Sequence, residues 1–405
     1  MSVRMFGAGA RSVLLLSLAQ ALLTTSNVII FTLSGLVGYS LAPDPALATV
    51  PVAAWVIGAA ASTWFASLAM KRIGRRWGFV VGTGFGVAGG LVCALAVWLQ
   101  DFWLLAAGAA LVGVYNAHGQ YYRFAVAEAV PASAKSRAIS LVLAGGILGG
   151  VVGPESAKLT KDLLAPLTFL GSFLALGAFN LIALAVVLCV RIPRMSAAEQ
   201  RQVGRPLGEI VRQPRFLVAA LAGFTGYVVM NVVMVSAPIA MLQCGLPFDD
   251  TAFAMEWHVI GMFAPSFVTG WLIARLGVLN VLLAGAALLA ICVGFAVTGV
   301  SVFNFWMAVV LVGVGWNFLF VGGTTLLTEC CAPAEHAKTQ GLNDFVIFSG
   351  MAVSTFGSGA LLQGFGWQAV NYGALPLVAL TAAATLWLAL KPQAEAQKAL
   401  SGSFR

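Results

Sequence analysis

Predominantly apolar runs of 18 or more residues recur along this chain. Each is long enough to cross a hydrocarbon core of about 30 Å as a helix. Inside a bilayer every backbone N–H and C=O must be bonded within the protein, so such runs fold as a bundle of membrane helices. Charged residues are only 9% of the sequence, against about 25% in a typical soluble domain. The runs divide into twelve spans, at 13–38, 48–70, 78–99, 102–126, 137–158, 165–190, 214–240, 250–273, 278–299, 303–328, 339–363 and 367–390. Residues 1–11 are short and basic, but the apolar stretch after them outruns a signal-peptide core, so the first span is expected to be retained.

Twelve spans place both termini on one side. Every Lys and Arg except Lys158 and Lys161 falls at the ends or loops on that side, which marks it as cytoplasmic. The net charge of +8 follows from this topology and gives no reason to expect nucleic-acid binding. The expected surroundings are the lipid bilayer, with the protein as a monomer and without a prosthetic group or enzymatic activity. The six cysteines contain no Cys-x-x-Cys and no secreted-type framework. Cys93, Cys189 and Cys292 read as small packing residues, and Cys330 and Cys331 adjoin a cytoplasmic helix end.

The chain repeats itself with a period near 200 residues. Arg72-Ile73-Gly74 recurs as Arg275-Leu276-Gly277, and Leu111-Val112-Gly113-Val114 recurs letter for letter as Leu311-Val312-Gly313-Val314. Glu128 matches Glu329, and Ala134-Lys135 matches Ala337-Lys338. The expected organisation is an N-terminal six-helix bundle (1–190), a basic cytoplasmic linker (191–213) and a C-terminal six-helix bundle with a short tail (214–405). Two parallel six-helix halves with a pathway between them form the architecture of a secondary transporter. The loop from Ser67 to Arg76, with Lys71, Arg72, Gly74, Arg75 and Arg76, resembles the loop 2–3 signature of the major facilitator superfamily. Ser67 stands where that signature has glycine and Lys71 where it has an acid. The second copy, with Arg275 and Gly277, also lacks the acid. The resemblance implies a twelve-helix major facilitator fold with these two loops in gating.

Four residues point to a substrate. Met230 with Met234, and His258 with Met262, are each spaced i, i+4 inside consecutive antiparallel spans, so each pair projects from one helix face. Counted from the outer ends, the pairs form two rungs about 12 and 18 Å deep. Thioether sulfur and imidazole are soft donors suited to Cu(I), and a histidine this deep is costly without a role. Packing is the plainer reading of the methionines. Met230-x-x-x-Met234 and His258-x-x-x-Met262 resemble the paired motifs of the CcoA-like copper transporters, which implies a bacterial inner-membrane protein importing copper for assembly of cbb-type haem–copper oxidase, with copper-handling proteins as partners. Met241, Met255 and Cys244 continue these faces outward as candidates for a capture rung. The same wider family includes riboflavin importers, so a small organic solute is the alternative substrate.

Other polar residues inside the spans need partners or a cavity. Asn116, His118, Gln120 and Tyr122 crowd one half of span 4 and are candidates for lining a pathway for a planar solute. Glu256 and Asp344 are candidates for coupling or solvated rim charges. Gly78, Gly82, Gly86 and Gly90 in span 3, and Gly145, Gly149 and Gly153 before Pro154 in span 5, permit close helix approach, either as static packing or as a sliding surface. Gly149-x-x-x-Gly153-Pro154 also resembles part of the antiporter motif of drug exporters, which keeps export as a lesser reading. A transporter-like copper sensor is a lesser one still.

Overall fold

The computed structural model describes residues 9–44, 47, 50–192 and 204–391. The expected linker is therefore described only at its two ends, and the expected cytoplasmic tail from 392 onward lies outside the described residues. In the N-terminal half, α1 is Ala10–Leu41, α2 Val50–Ile73, α3 Arg75–Leu99, α4 Phe102–Gly119, α5 Tyr122–Glu128, α6 Lys135–Ala144, α7 Gly146–Thr160 and α8 Leu170–Leu188. A short α9, Leu207–Val211, leads into the second half. There α10 is Pro214–Gln243, α11 Phe248–Phe263, α12 Ser266–Leu276, α13 Val278–Thr298, α14 Val302–Glu329, α15 His336–Tyr372 and α16 Leu375–Leu390.

Several spans are broken helices, which is where the structure departs from the expected boundaries. Span 4 is α4 plus α5, interrupted at Gln120–Tyr121 by the run of polar residues. Span 5 is α6 plus α7, broken at Gly145, and span 8 is α11 plus α12, broken just before Ser266 at Pro265. Proline lacks the N–H needed to continue the ladder, so the break falls there. Spans 11 and 12 turn into one another at Gly366, whose φ of 76° is easily reached only by glycine. Among the described residues, ten helices are long and apolar enough to cross a membrane on those criteria alone. Together with the polar-interrupted spans 4 and 11 they complete the twelve-span bundle.

Within lipid, helix association depends on close packing and hydrogen bonding more than on the hydrophobic effect. The duplicated Leu-Val-Gly-Val segments are the close-contact points of the two halves. A Cβ at Gly113 on α4 would collide with the backbone carbonyl of Trp55 on α2, and one at Gly58 on α2 with that of Ala110. In the second half a Cβ at Gly313 on α14 would stand 2.8 Å from the carbonyl oxygen of His258 on α11, and one at Gly261 the same distance from that of Val310. The repeat thus encodes the same helix crossing twice. Gly74 and Gly277 likewise share one bend, with φ of 88° and 87°, at the start of α3 and α13.

The glycine row of α3 is filled by neighbours. Gly78 receives Met70, Gly82 His118, Gly86 Tyr115 and Gly90 the backbone of Gly177. Gly145, Gly149 and Gly153 lie against Ser17, Ala21 to Thr25, and Val28 of α1. Buried polar groups tie the interior: Asn180 donates to the Gly86 carbonyl at 2.8 Å and is hydrogen-bonded to Ser26. Thr225 and Thr381 meet at 2.7 Å.

Between the halves, α2 packs on α15, α6 on α12 and α7 on α11. Most basic residues lie at one end of the bundle, called here the basic side. There the halves touch directly: Ser67 donates to the Ala337 carbonyl at 2.6 Å, Ser136 to that of Gly270 at 3.1 Å, and Ser140 to that of Ser266. A Cβ on Gly270 would lie 2.7 Å from Arg137 Cα, so backbone meets backbone and the basic side is closed.

Candidate functional site

Near mid-depth of the bundle, amides gather on the first half and aromatic rings on the second. Asn27 on α1 donates to Asn116 Oδ1 on α4 at 2.8 Å, and Gln120 donates to the same oxygen at 3.1 Å. Gln120 Oε1 in turn accepts from Arg123 at 3.0 Å, and Arg123 donates to Asp344 on α15 at 2.6 Å. Asn343 donates to the same carboxylate oxygen at 2.8 Å. A continuous polar ladder therefore runs from mid-depth toward the basic side and crosses from one half to the other. Its last rung is an ion pair with side chains only 1% and 0% exposed. Taking both charges out of water is costly, and the extra hydrogen bonds from Gln120 and Asn343 are what make the burial tolerable.

Facing the ladder on the second half are Tyr227 of α10, Trp316 and Phe320 of α14, and Phe348 of α15. Tyr227 meets the other three rings edge-on at centroid distances of 5.4, 5.0 and 5.5 Å. Trp316 and Phe320 stack at 5.1 Å, and Phe263 of α11 abuts Trp316 edge-on at 5.8 Å. Arg123 sits 4.3 Å over Phe320, so the latch and the rings are one assembly. Cation–π contact of this kind is strongest when desolvated, as here. Among the buried polar atoms with no partner among the described residues are Asn27 Oδ1, Asn231 Oδ1 and Trp316 Nε1 here, and Arg123 Nε and Asp344 Oδ2 at the latch. Orphaned buried groups are rare and call for an explanation.

Asn27, Asn231, Tyr227 and Trp316 were not singled out from sequence. One signal was available: Asn27 and Asn231 lie the same distance into α1 and α10, the first helices of the two halves. Of the residues expected to line a pathway, Asn116 and Gln120 belong to the ladder. His118 bonds the Val114 carbonyl of its own helix at 2.8 Å and packs on Gly82. Tyr122 is fully buried against Phe79. Asp344 is the buried end of the latch, and Glu256 is exposed.

The soft donors lie on helices that lean chiefly on a third. The α10 and α11 helices touch over a short stretch, and each packs lengthwise on α14. His258 is fully buried between α11 and α14, with Nδ1 2.7 Å from the Val309 carbonyl. Met230 is buried, while Met234 and Met262 pack at the edge of the same apolar core. Met241 is fully buried, Met255 half-buried and Cys244 exposed.

At the basic side the loop residues form a second layer. Arg75 donates to Glu128 at 2.7 Å within its own half and to Gln340 Oε1 of the other half at 2.5 Å. His336 Nδ1 lies 3.1 Å from the same Glu128 oxygen. Burying the Glu128 carboxylate is costly, and the ion pair with Arg75 and the contact with His336 offset that cost. Glu128 and Arg75 thus supply on this loop the acid–base contact that Lys71 cannot. Arg76 donates to the Leu188 carbonyl, and Arg275 lies over Trp271 at 5.2 Å.

Two six-helix halves that meet on one side form the architecture of a membrane transporter. The chain belongs to the Major Facilitator Superfamily, whose profile matches residues 16–264 and 219–404. It is 40% identical over 394 residues to the riboflavin transporter RfnT of Brucella anthropi, covering 97% of this chain and 99% of that protein. It is 26% identical to the uncharacterized transporter YddS of Bacillus subtilis, over 82% of this chain and 79% of that one. Among solved structures it resembles the Escherichia coli fucose:proton symporter FucP, with a TM-score of 0.74 at 16% identity over 93% of this chain and 97% of that one. A bacterial homologue of the iron transporter ferroportin aligns with a TM-score of 0.71 at 15% identity, over 94% and 99% of the two chains.

These relationships correct the expected substrate. A whole-length relative at 40% identity is a riboflavin transporter, which overturns copper import and favours the alternative. The expected link to cytochrome oxidase assembly goes with it, and the ligand and capture roles of Met230, Met234, His258, Met262, Met241, Met255 and Cys244 lose their premise. His258 is buried with Nδ1 bonded to a backbone carbonyl, and its Nε2 has no partner among the described residues.

Proposed function

We propose that this chain imports riboflavin, or a closely related flat heteroaromatic, across the bacterial cytoplasmic membrane by alternating access, with both termini in the cytoplasm. The observation that carries the reading is the 40% identity to a riboflavin transporter over nearly the whole of both chains. The mid-depth site has the chemistry such a solute needs. Rings of Tyr227, Trp316 and Phe348 offer faces and edges for stacking, and stacked or edge-on aromatic contacts are worth about 0.5–1.5 kcal/mol beyond burial. Asn27, Asn116 and Asn231 offer amide donors and acceptors matching an imide edge. The orphaned atoms of Asn27, Asn231 and Trp316 are groups that a substrate would satisfy.

In this reading the basic side is cytoplasmic, and the Arg123–Asp344 latch holds it shut while solute enters from outside. Rocking of the halves then separates Ser67 from Ala337 and Ser136 from Gly270 and releases the solute inward. The test is uptake of riboflavin, followed by its fluorescence, in cells that cannot make it, with and without this chain. Copper accumulation is measured in parallel. Chain-dependent riboflavin uptake with unchanged copper is expected. No chain-dependent riboflavin uptake, with the protein present in the membrane, rejects the reading.

A further inference from the structure

Below the latch, on the basic side, a pocket of about 420 Å³ lies between the halves. Small-molecule sites typically span about 300–1,000 Å³. Lys71, Arg72 and Arg75 from the α2–α3 loop and Lys135 from α6 line it, together with His336 and Gln340 of α15. Glu128 is the only acid among the lining residues, and Arg75 already pairs with it. Lys71 and Arg72 form no ion pair among the described residues. Gln340 is fully buried, and while its Oε1 accepts from Arg75, its Nε2 has no partner among the described residues. The remaining wall includes Met70 and Phe124, which are apolar.

We propose that this pocket binds a phosphate monoester carrying an aromatic body, and that its occupation holds the basic side closed. A phosphate near neutral pH brings close to two negative charges and three acceptor oxygens. Lys71, Arg72 and the free Gln340 amide supply the matching charges and donors, and charge-assisted bonds of this kind are the strong ones. The ring rests on Met70 and Phe124. Because the lining comes from both halves, the ligand binds only when they are together at this end. A ligand that prefers one conformation shifts the population toward it by its difference in affinity. A transporter held in this way cannot release solute into the cytoplasm.

The phosphate site stands on the pocket alone. Its natural occupant rests on the riboflavin reading: riboflavin 5′-phosphate, the product of a kinase acting on the imported vitamin, is such a monoester. Uptake would then be restrained from inside by its own phosphorylated product.

The experiment uses the full chain in phosphatidylcholine nanodiscs and measures equilibrium binding of riboflavin 5′-phosphate and, separately, phenyl phosphate. Both should bind, and the Lys71→Ala, Arg72→Ala double variant should weaken each by about tenfold or more. In the unmodified chain, raising the salt about tenfold should weaken both by screening. Binding that ignores salt overturns the proposal even if the variant does not fold. Equal binding by a folded double variant also overturns it. The nanodiscs are then remade with phosphatidylglycerol. Unchanged binding supports the soluble monoester, and abolished binding assigns the pocket to lipid headgroup phosphate and overturns product restraint. Phosphate binding without riboflavin transport would remove the vitamin reading and keep the site. Transport without phosphate binding would do the reverse.

Discussion

Arg123 and Asp344, 221 residues apart, form a 2.6 Å ion pair that joins the two halves of the molecule from positions almost wholly closed to solvent. Gln120 and Asn343 add hydrogen bonds from either side, while Arg123 Nε and Asp344 Oδ2 have no partner among the described residues. No other ion pair among the described residues has both side chains so buried.

Removing one partner strands the other. Asp344→Asn should leave Arg123 buried without a counter-charge and destabilise the closed form by about 3–5 kcal/mol. An Arg123→Met, Asp344→Leu double variant should recover much of that loss, since apolar pairs often replace buried ions well. Thermal unfolding in detergent, followed by the intrinsic tryptophan signal, gives both values. Equal stability of Asp344→Asn and the parent would show that the pair does not hold the halves together.

The repeat crossings make opposite predictions for two glycines. Gly113→Ala forces a Cβ onto the Trp55 carbonyl and should sharply lower the yield of folded protein. Gly357, inside α15, has nothing within 4 Å of where a Cβ would stand, so Gly357→Ala should stabilise by about 0.5–1 kcal/mol. Size-exclusion profiles of the two variants settle this. A well-folded Gly113→Ala would refute the crossing.

Acid should loosen the loop before α15. Hydrogen bonds from Arg205, chiefly, hold the Glu335 carboxyl down at about 2, with the Ala332 N–H adding to them. An unfolded glutamate titrates near about 4.3, so the stabilisation is full above that pH and fades as pH falls toward 2. Melting temperatures of the parent should therefore drop between about pH 5 and pH 3 more steeply than those of Glu335→Gln. Parallel pH profiles would exclude Glu335 as a source of the acid sensitivity.

For transport, Trp316 separates stacking from hydrogen bonding. Trp316→Phe keeps a ring against Tyr227 and loses the unpartnered Nε1–H, so it should raise the half-saturating riboflavin concentration by about tenfold at most. Trp316→Ala also removes the ring and should cost more. Concentration series of uptake in both variants make the comparison. Unaltered uptake by Trp316→Ala would place the substrate elsewhere.

Fold class was legible in the sequence because span length and apolar content are local properties. A run of 18 residues can cross a bilayer wherever it lies. The duplication was also written in letters, since Gly74 and Gly277, and Gly113 and Gly313, each meet a backbone demand that glycine alone satisfies. The polar run around Asn116 and Gln120 announced buried partners because hydrocarbon offers none.

What only the tertiary structure decided is which faces meet. The i, i+4 spacing places Met230 with Met234 and His258 with Met262 on common faces, but spacing says nothing of what each face is turned toward. His258 turns to a carbonyl 51 residues away on α14, and the helices bearing the two pairs lean chiefly on that third helix. Arg123 and Asp344 stand 221 residues apart in sequence, and they become a latch only when the halves pack. Side-chain periodicity fixes direction within a helix, whereas contact between helices depends on rotation and crossing, which non-local packing sets.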